Sequence, residues 1–267
     1  PSAGKTALAL VLAYHMAKNY RVGFFSLETG PRKLTDCLVS SALGIDFNTI
    51  KRQKMEEADF EKAAAGGSEF TARHLTLLRS SGLTASQIQS ISRSYGFEII
   101  FVDYVQLITP EGDPRAGITQ AVASISRALH TFAQSSNTLV VELAQLSRPQ
   151  KAGGWKEPTM HDLKETGQLE QDADAVMLLY RPKPGGDFDP DKTRVLKIAK
   201  QKEGRLGKWP LAFDGSHQSF APLAGPDVRA IMQRMADNAR AVKAARRGQV
   251  QGQVQFREIS EPAHLPL

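Results

Sequence analysis

Short apolar runs recur along the chain, separated by stretches with helical spacing. The first, Val22-Gly23-Phe24-Phe25-Ser26-Leu27, shows no alternation and stops at Glu28. A run of this kind predicts a strand covered on both faces, as in a parallel sheet wrapped by helices. His74 to Leu78 reads as another strand. Phe97 to Val102 is a third and ends in Asp103, and Thr138 to Leu143 is a fourth and ends near Gln145. Between them, residues 6–19 form a helix apolar nearly all round, with Ala7, Leu8, Leu10, Val11, Leu12 and Ala13, and such a helix is buried. Pro31 starts a second helix with Leu34, Cys37 and Leu38 at helical spacing. Residues 44–74 are polar and helix-rich, with Ala63 to Gly67 expected as a break. Thr84 caps a helix carrying Ile88, Ile91 and Tyr95, and Gly96 ends it. Residues 118–135 place Val122, Ile125, Leu129 and Phe132 on one face. The fold class is therefore α/β, a mostly parallel sheet flanked by helices.

The rest of the chain reads differently. Residues 109–117 are rich in turn formers and form an exposed loop. Residues 147–166 are basic and irregular, and a loop of that length inside an α/β domain is functional or disordered. Strands follow at 175–180 and 193–199, with a return strand at 209–213. The hairpin tip at 200–208 carries Lys200, Lys202, Arg205 and Lys208, with Arg194 just upstream as a weaker candidate for the same role. After Phe220 the composition shifts. We therefore divide the chain into a domain at 1–220 and a tail at 221–267. The tail holds one amphipathic helix from Pro226, closed by Gly248, and then a Gln-rich stretch expected to be disordered.

Composition narrows the function. A net charge of +6 permits a nucleic-acid partner without demanding one. One cysteine among 267 residues excludes an internal disulfide framework. Cys37 lies in an apolar helical pattern and reads as a buried thiol. No apolar run is long enough to span a membrane. No Cys/His cluster has the spacing of a structural zinc site.

The chemistry concentrates at the start, Pro1-Ser2-Ala3-Gly4-Lys5-Thr6. Gly-Lys-Thr running into an apolar helix is the last part of a phosphate-binding P-loop, where backbone N–H groups face the phosphates. Lys5 then reaches the β- and γ-phosphates and Thr6 holds Mg²⁺. The first Gly of the full motif, G-x-x-x-x-G-K-[ST], falls before residue 1. With no initiating Met and no strand leading in, the chain is expected to begin inside its own active site. Asp103, closing an apolar strand about a hundred residues on, has the pattern of a Walker B carboxylate, which lies near that Mg²⁺. Gln145 is either a γ-phosphate sensor or an ordinary loop residue.

In order, these motifs resemble the C-terminal ATPase domain of the DnaB family of replicative helicases, over Pro1 to about Phe220. The matching pieces are Pro1 to Leu10, Phe25 to Glu28, Val102 to Ile108, Ala144 to Arg148 and, most specific, Asp162 to Asp174. The resemblance implies a RecA-like P-loop fold and a homohexameric ring. ATP, with Mg²⁺, would bind between subunits, and single-stranded DNA would thread the channel. It implies that Ser2, Ala3, Gly4, Lys5, Thr6 and Asp103 hold the nucleotide, Thr6 and Asp103 through the metal. Glu28 would polarise the attacking water and Gln145 read the γ-phosphate. Lys200 and Lys202 would reach into the neighbour's site. Arg148, Lys164, Glu165 and Gly167 would contact DNA. Primase and a helicase loader are the further partners, and the cytoplasm of a bacterial or phage-infected cell is the implied location. Lys164 stands where the family usually has Arg, and Lys202 where it places its arginine finger. Lysine keeps the charge but loses the planar fork. Two other readings share parts of the pattern. One is a RecA-type recombination ATPase, against which the Asp162–Asp174 segment argues. The other is a non-hydrolysing nucleotide- and DNA-binding ring, against which Glu28, Asp103 and Gln145 argue.

Overall fold

The structure, a computed structural model, describes residues 3–112, 117–146 and 155–223, with the backbone alone at 164–166. The expected tail helix, the first part of the basic loop (147–154) and the middle of the 109–117 loop lie outside the described residues. The first apolar runs become β1 (Val22–Ser26), β2 (Leu75–Arg79), β3 (Ile99–Asp103) and β4 (Leu139–Leu143). They form one parallel sheet in the order β2-β1-β3-β4. Successive side chains point to opposite faces. Phe24 and Phe101 stack 5.8 Å apart on one face, against Leu10 and Ala13 of α1 (Lys5–Met16) and Leu34 and Leu38 of α2 (Pro31–Leu43). Phe25 and Val102 face the other way. They meet Ile88 of α5 (Ala85–Tyr95) and Val122, Ile125, Leu129 and Phe132 of α6 (Ile118–Ser136). Both faces are covered, which is why neither β1 nor β3 alternates.

Local signals set several boundaries. Thr84 and Gln87 make a reciprocal capping box at the start of α5, and Gly96, in the left-handed region at φ 61°, ends it. The break expected at residues 63–67 is absent. Helix α4 (Glu57–Thr71) runs straight through them, after the short α3 (Phe47–Arg52). A Cβ at Gly66 would lie 2.5 Å from Leu43 Cδ2, so this glycine lets α4 approach α2.

The expectation of a mostly parallel sheet holds for β1 to β4. Past them, β5 (Ala175–Tyr180), β6 (Thr193–Gln201), β7 (Gly207–Asp214) and β8 (Ser219–Pro222) make a second, antiparallel sheet in chain order. β8 carries only four residues and was not anticipated. The supposedly irregular stretch up to 166 ends in a 3₁₀ helix (Met160–Thr166), and α7 (Gly167–Asp172) follows it directly. Among the described residues no helix is long and apolar enough to cross a membrane.

One buried group runs against the pattern. Glu142 of β4 turns its carboxylate into the apolar side of the sheet, and its Oε2 is buried with no hydrogen-bond partner. Asp172, held by Ser126 Oγ at 2.7 Å and Gln168 Nε2 at 2.6 Å, lies close by. Burial, with the Asp172 charge added, pushes the Glu142 carboxyl from 4.5 up to about 8. Between those values the folded chain holds a proton that the unfolded chain releases. Stability therefore falls as pH rises through that window, by at most about 1.4 kcal/mol per pH unit. Glu142→Gln removes the effect. Its melting temperature relative to the parent should be clearly more favourable at pH 8.5 than at pH 5. A difference that stays flat with pH would mean Glu142 is solvated as an ordinary carboxylate.

Candidate nucleotide site

Parallel register brings the site together. Ser26 pairs with Asp103 and Asp103 with Leu143, so β1, β3 and β4 end level. Two residues past β1 comes Glu28, and two past β4 comes Gln145. Glu28, Asp103 and Gln145 thus share the carboxyl edge of the sheet, where ligand sites form in open α/β folds.

The amino end of α1 faces the same edge. Its N-cap, Gly4, has φ 91° and ψ 25°, a left-handed conformation that favours glycine. No side chain caps this end, so the first backbone N–H groups remain available to an anion. Thr6 Oγ1 donates to Asp103 Oδ2 at 2.6 Å. Lys5 Nζ lies 3.1 Å from Asp103 Oδ1 and 4.4 Å from the centre of the Tyr104 ring. This Lys5–Asp103 contact is one of charge and proximity. Both atoms are buried, and neither makes an aligned hydrogen bond. Lys5 therefore has donors to turn toward a phosphate, and Asp103 keeps an acceptor for a cation. Hard oxygen donors of this kind suit Mg²⁺, which prefers one or two carboxylates beside phosphate oxygens.

Glu28 is exposed, but its loop is fixed. Ser26 Oγ donates to the Thr29 carbonyl at 2.7 Å and accepts from its N–H at 3.2 Å. Leu27 N–H donates to the Asp103 carbonyl at 2.9 Å, tying this turn to the end of β3. A cis peptide joins Asp103 to Tyr104. Burial raises the Tyr104 phenol, and the Glu28 and Asp103 charges add to the shift, so all three groups share one field. Gln145 is held through its backbone. Gln106, in a 3₁₀ turn (Val105–Leu107), donates to the Gln145 carbonyl at 3.3 Å and accepts from its N–H at 3.4 Å. Gln106 had no role in the sequence analysis. Its position three residues past Asp103 was the available signal.

The hairpin lysines engage groups of their own chain. Lys200 Nζ donates to the Glu170 and Gln171 carbonyls at 2.6 and 3.1 Å, at the carboxyl end of α7. Lys202 forms an ion pair with Asp174. Its backbone N–H also donates to the Asp174 carbonyl at 3.0 Å. Arg194 does not belong with them. It is 1% exposed, inside β6, and so does not serve as the outward-facing cation first considered. Gly167 opens α7. Ser2, Arg148 and the side chains of Lys164 and Glu165 lie outside the described residues.

The described part of the stretch 147–167, from residue 155, is anchored on the antiparallel sheet. Glu157 accepts from Lys197 Nζ at 2.7 Å and Lys208 Nζ at 2.6 Å, both on the antiparallel sheet. Burial alone would raise this carboxyl, but the two lysine hydrogen bonds outweigh it and hold it low. Trp155 Nε1 adds a bond to the Arg181 carbonyl at 3.2 Å.

The chain has counterparts among known proteins in sequence and fold. The family model described as the DnaB-like helicase C terminal domain matches residues 1–222. The replicative DNA helicase DnaB of Haemophilus influenzae is 34% identical over 236 residues, covering 84% of this chain and 50% of its own length. Among solved structures, a DnaB-like replicative helicase described with its interactions with primase aligns with a TM-score of 0.77 and 32% identity. That alignment covers 84% of this chain and 56% of the other. A second solved structure, described as an ATPase domain, aligns with the same TM-score and identity, with 82% of its chain covered. The chain spans about half the length of the curated relatives it matches.

Proposed function

Because this chain belongs to the DnaB-like helicase C-terminal domain family, we propose that it carries the ATP-hydrolysing motor of a replicative DNA helicase. That motor translocates on single-stranded DNA and separates the duplex at the fork. One observation supports this above the others. The open amino end of α1 meets a level row of Glu28, Asp103 and Gln145, with Lys5 and Thr6 already on Asp103.

In this reading the α1 N–H groups and Lys5 hold the ATP phosphates. Thr6 and Asp103 would hold Mg²⁺, which neutralises phosphate charge when bound. Glu28 orients the attacking water, and its fixed turn keeps that carboxylate in place. Gln145, pinned by Gln106, reads the γ-phosphate at the end of β4. Six copies form a ring, and Lys200 and Lys202 act on the neighbour's nucleotide. The segment 147–167, with Arg148, Lys164, Glu165 and Gly167, grips the DNA backbone. Its anchorage through Glu157 and through α7 links that grip to the hairpin. Primase, the partner described for one structural relative, is a proposed partner here as well.

Three experiments on the full-length protein test these roles. Glu28→Gln should keep ATP binding and lose about 10²-fold or more in DNA-stimulated turnover, as expected for a general base. Turnover within a fewfold of the parent would instead favour a ring that binds without using this carboxylate. Lys202→Ala should lower turnover with nucleotide binding intact, and Lys202→Arg should raise it, since an arginine finger is worth about 10³–10⁵ in rate. Rings mixed from Lys202→Ala and Glu28→Gln subunits should regain activity at interfaces that pair the intact residues. Mixed rings no better than either parent would confine Lys202 to its own subunit. For DNA, affinity for single strands should fall steeply with salt, and Lys164→Ala should flatten the slope by about one unit. An unchanged slope moves the contact off this residue.

A further inference from the structure

Arg194 is the largest fully buried side chain among the described residues, at 1% exposure. Among the described residues it forms no salt bridge. Its donors go to carbonyls instead. Nη1 reaches those of Pro190 at 2.8 Å and Thr193 at 2.7 Å, with Asp191 farther at 3.4 Å. Nε donates at 3.0 Å to the carbonyl of Ala3, 191 residues away and directly before Gly4. The guanidinium also lies 4.3 Å from the centre of the Phe213 ring. Phe213 packs at 4.9 Å on Phe220, and a Cβ at Gly4 would meet Phe220 Cζ at 2.9 Å and Phe213 Cε2 at 3.4 Å. Burying a cation is costly unless hydrogen bonds compensate it. Here one of those bonds leads straight into the phosphate-binding loop.

We propose that Arg194 is a positioning residue of the nucleotide site, which holds the Ala3–Gly4 peptide in the orientation that binds phosphate. In a planar trans peptide the C=O of one residue and the N–H of the next point in opposite directions. Holding the Ala3 carbonyl on Arg194 therefore turns the Gly4 N–H away from the guanidinium. Glycine at φ 91° has wide freedom to let this peptide rotate. The Arg194 bond removes that freedom, and the Phe213–Phe220 pair leaves Gly4 little room to move. The loop then offers its N–H groups to a phosphate already set. The other three carbonyls fix the guanidinium within the 190–194 turn, so the constraint on the loop originates in the antiparallel sheet.

This inference rests on reading residues 3–6 as the nucleotide site, and the test separates the two. Full-length protein and its Arg194→Met and Arg194→Lys variants are compared for ADP dissociation constant, ATP KM, kcat and melting temperature. A preset N–H contact to phosphate binds ground and transition states alike, so its loss raises KM and leaves kcat in place. Arg194→Met should weaken ADP about tenfold and raise the ATP KM equally, with kcat within about twofold. Arg194→Lys keeps the charge but cannot reach Ala3 and the 190–193 carbonyls together, so its ADP affinity should fall between the two. If Arg194→Met fails to fold, Arg194→Lys carries the test alone. Folded variants with a lower melting temperature but unchanged ADP affinity and KM would reduce Arg194 to a structural buttress and overturn the proposal. A parent protein that binds no ADP would overturn the nucleotide reading itself.

Discussion

The contact between Asp103 and the start of α1 joins the two halves of the site. Asp103 is nearly inaccessible to solvent, yet it takes a hydroxyl from Thr6 and a charge from Lys5. A carboxylate so placed is stable only with such partners. Through it, the amino end of a helix is held against the carboxyl edge of the parallel sheet. Once that junction is set, register does the rest. Strands that end level with Asp103 bring Glu28 and Gln145 to the same edge without any side chain of their own to guide them.

Support for the site comes from outside its own sheet. Arg194 ties the loop before α1 to the antiparallel sheet, and Glu157 ties the approach to the 3₁₀ helix there through Lys197 and Lys208. Arg194 is buried and Glu157 partly so, and both make charge-assisted hydrogen bonds, which are stronger than neutral ones. The antiparallel sheet is therefore more than an appendage to the parallel one. It braces the loop before α1 at Ala3 and the chain ahead of the 3₁₀ helix at Glu157.

The parallel half of the fold was legible because burial on both faces leaves a plain mark, unbroken apolar runs such as Ile99 to Val102. The helix over 85–95 was legible from its ends, since Thr84 and Gly96 have opposite and well-defined backbone tasks. Two kinds of feature escaped. Gly66 reads as a helix breaker by propensity, but its cost of roughly 1 kcal/mol is tolerated where it lets two helices approach. That compensation belongs to Leu43, distant in sequence. Arg194 reads as one more surface cation, because nothing near it in sequence reveals that carbonyls from residues 3 and 190–193 converge on it. Gln106 escaped for the same reason, since its partner is the backbone of a residue 39 positions away. The residue types of a candidate site are visible in a sequence, and the groups that pack around them from distant parts of the chain mostly are not.

The two hairpin lysines differ in how firmly they are held. Lys202 and Asp174 are both well exposed, and surface pairs of this kind contribute at most about 1 kcal/mol. Lys200 is partly buried and grips two carbonyls at the negative end of α7. The two side chains therefore answer a disturbance differently. Thermal energy can part the Lys202 side chain from Asp174 while its backbone N–H stays on the Asp174 carbonyl, so the charge at this position can be re-aimed without unzipping the strand.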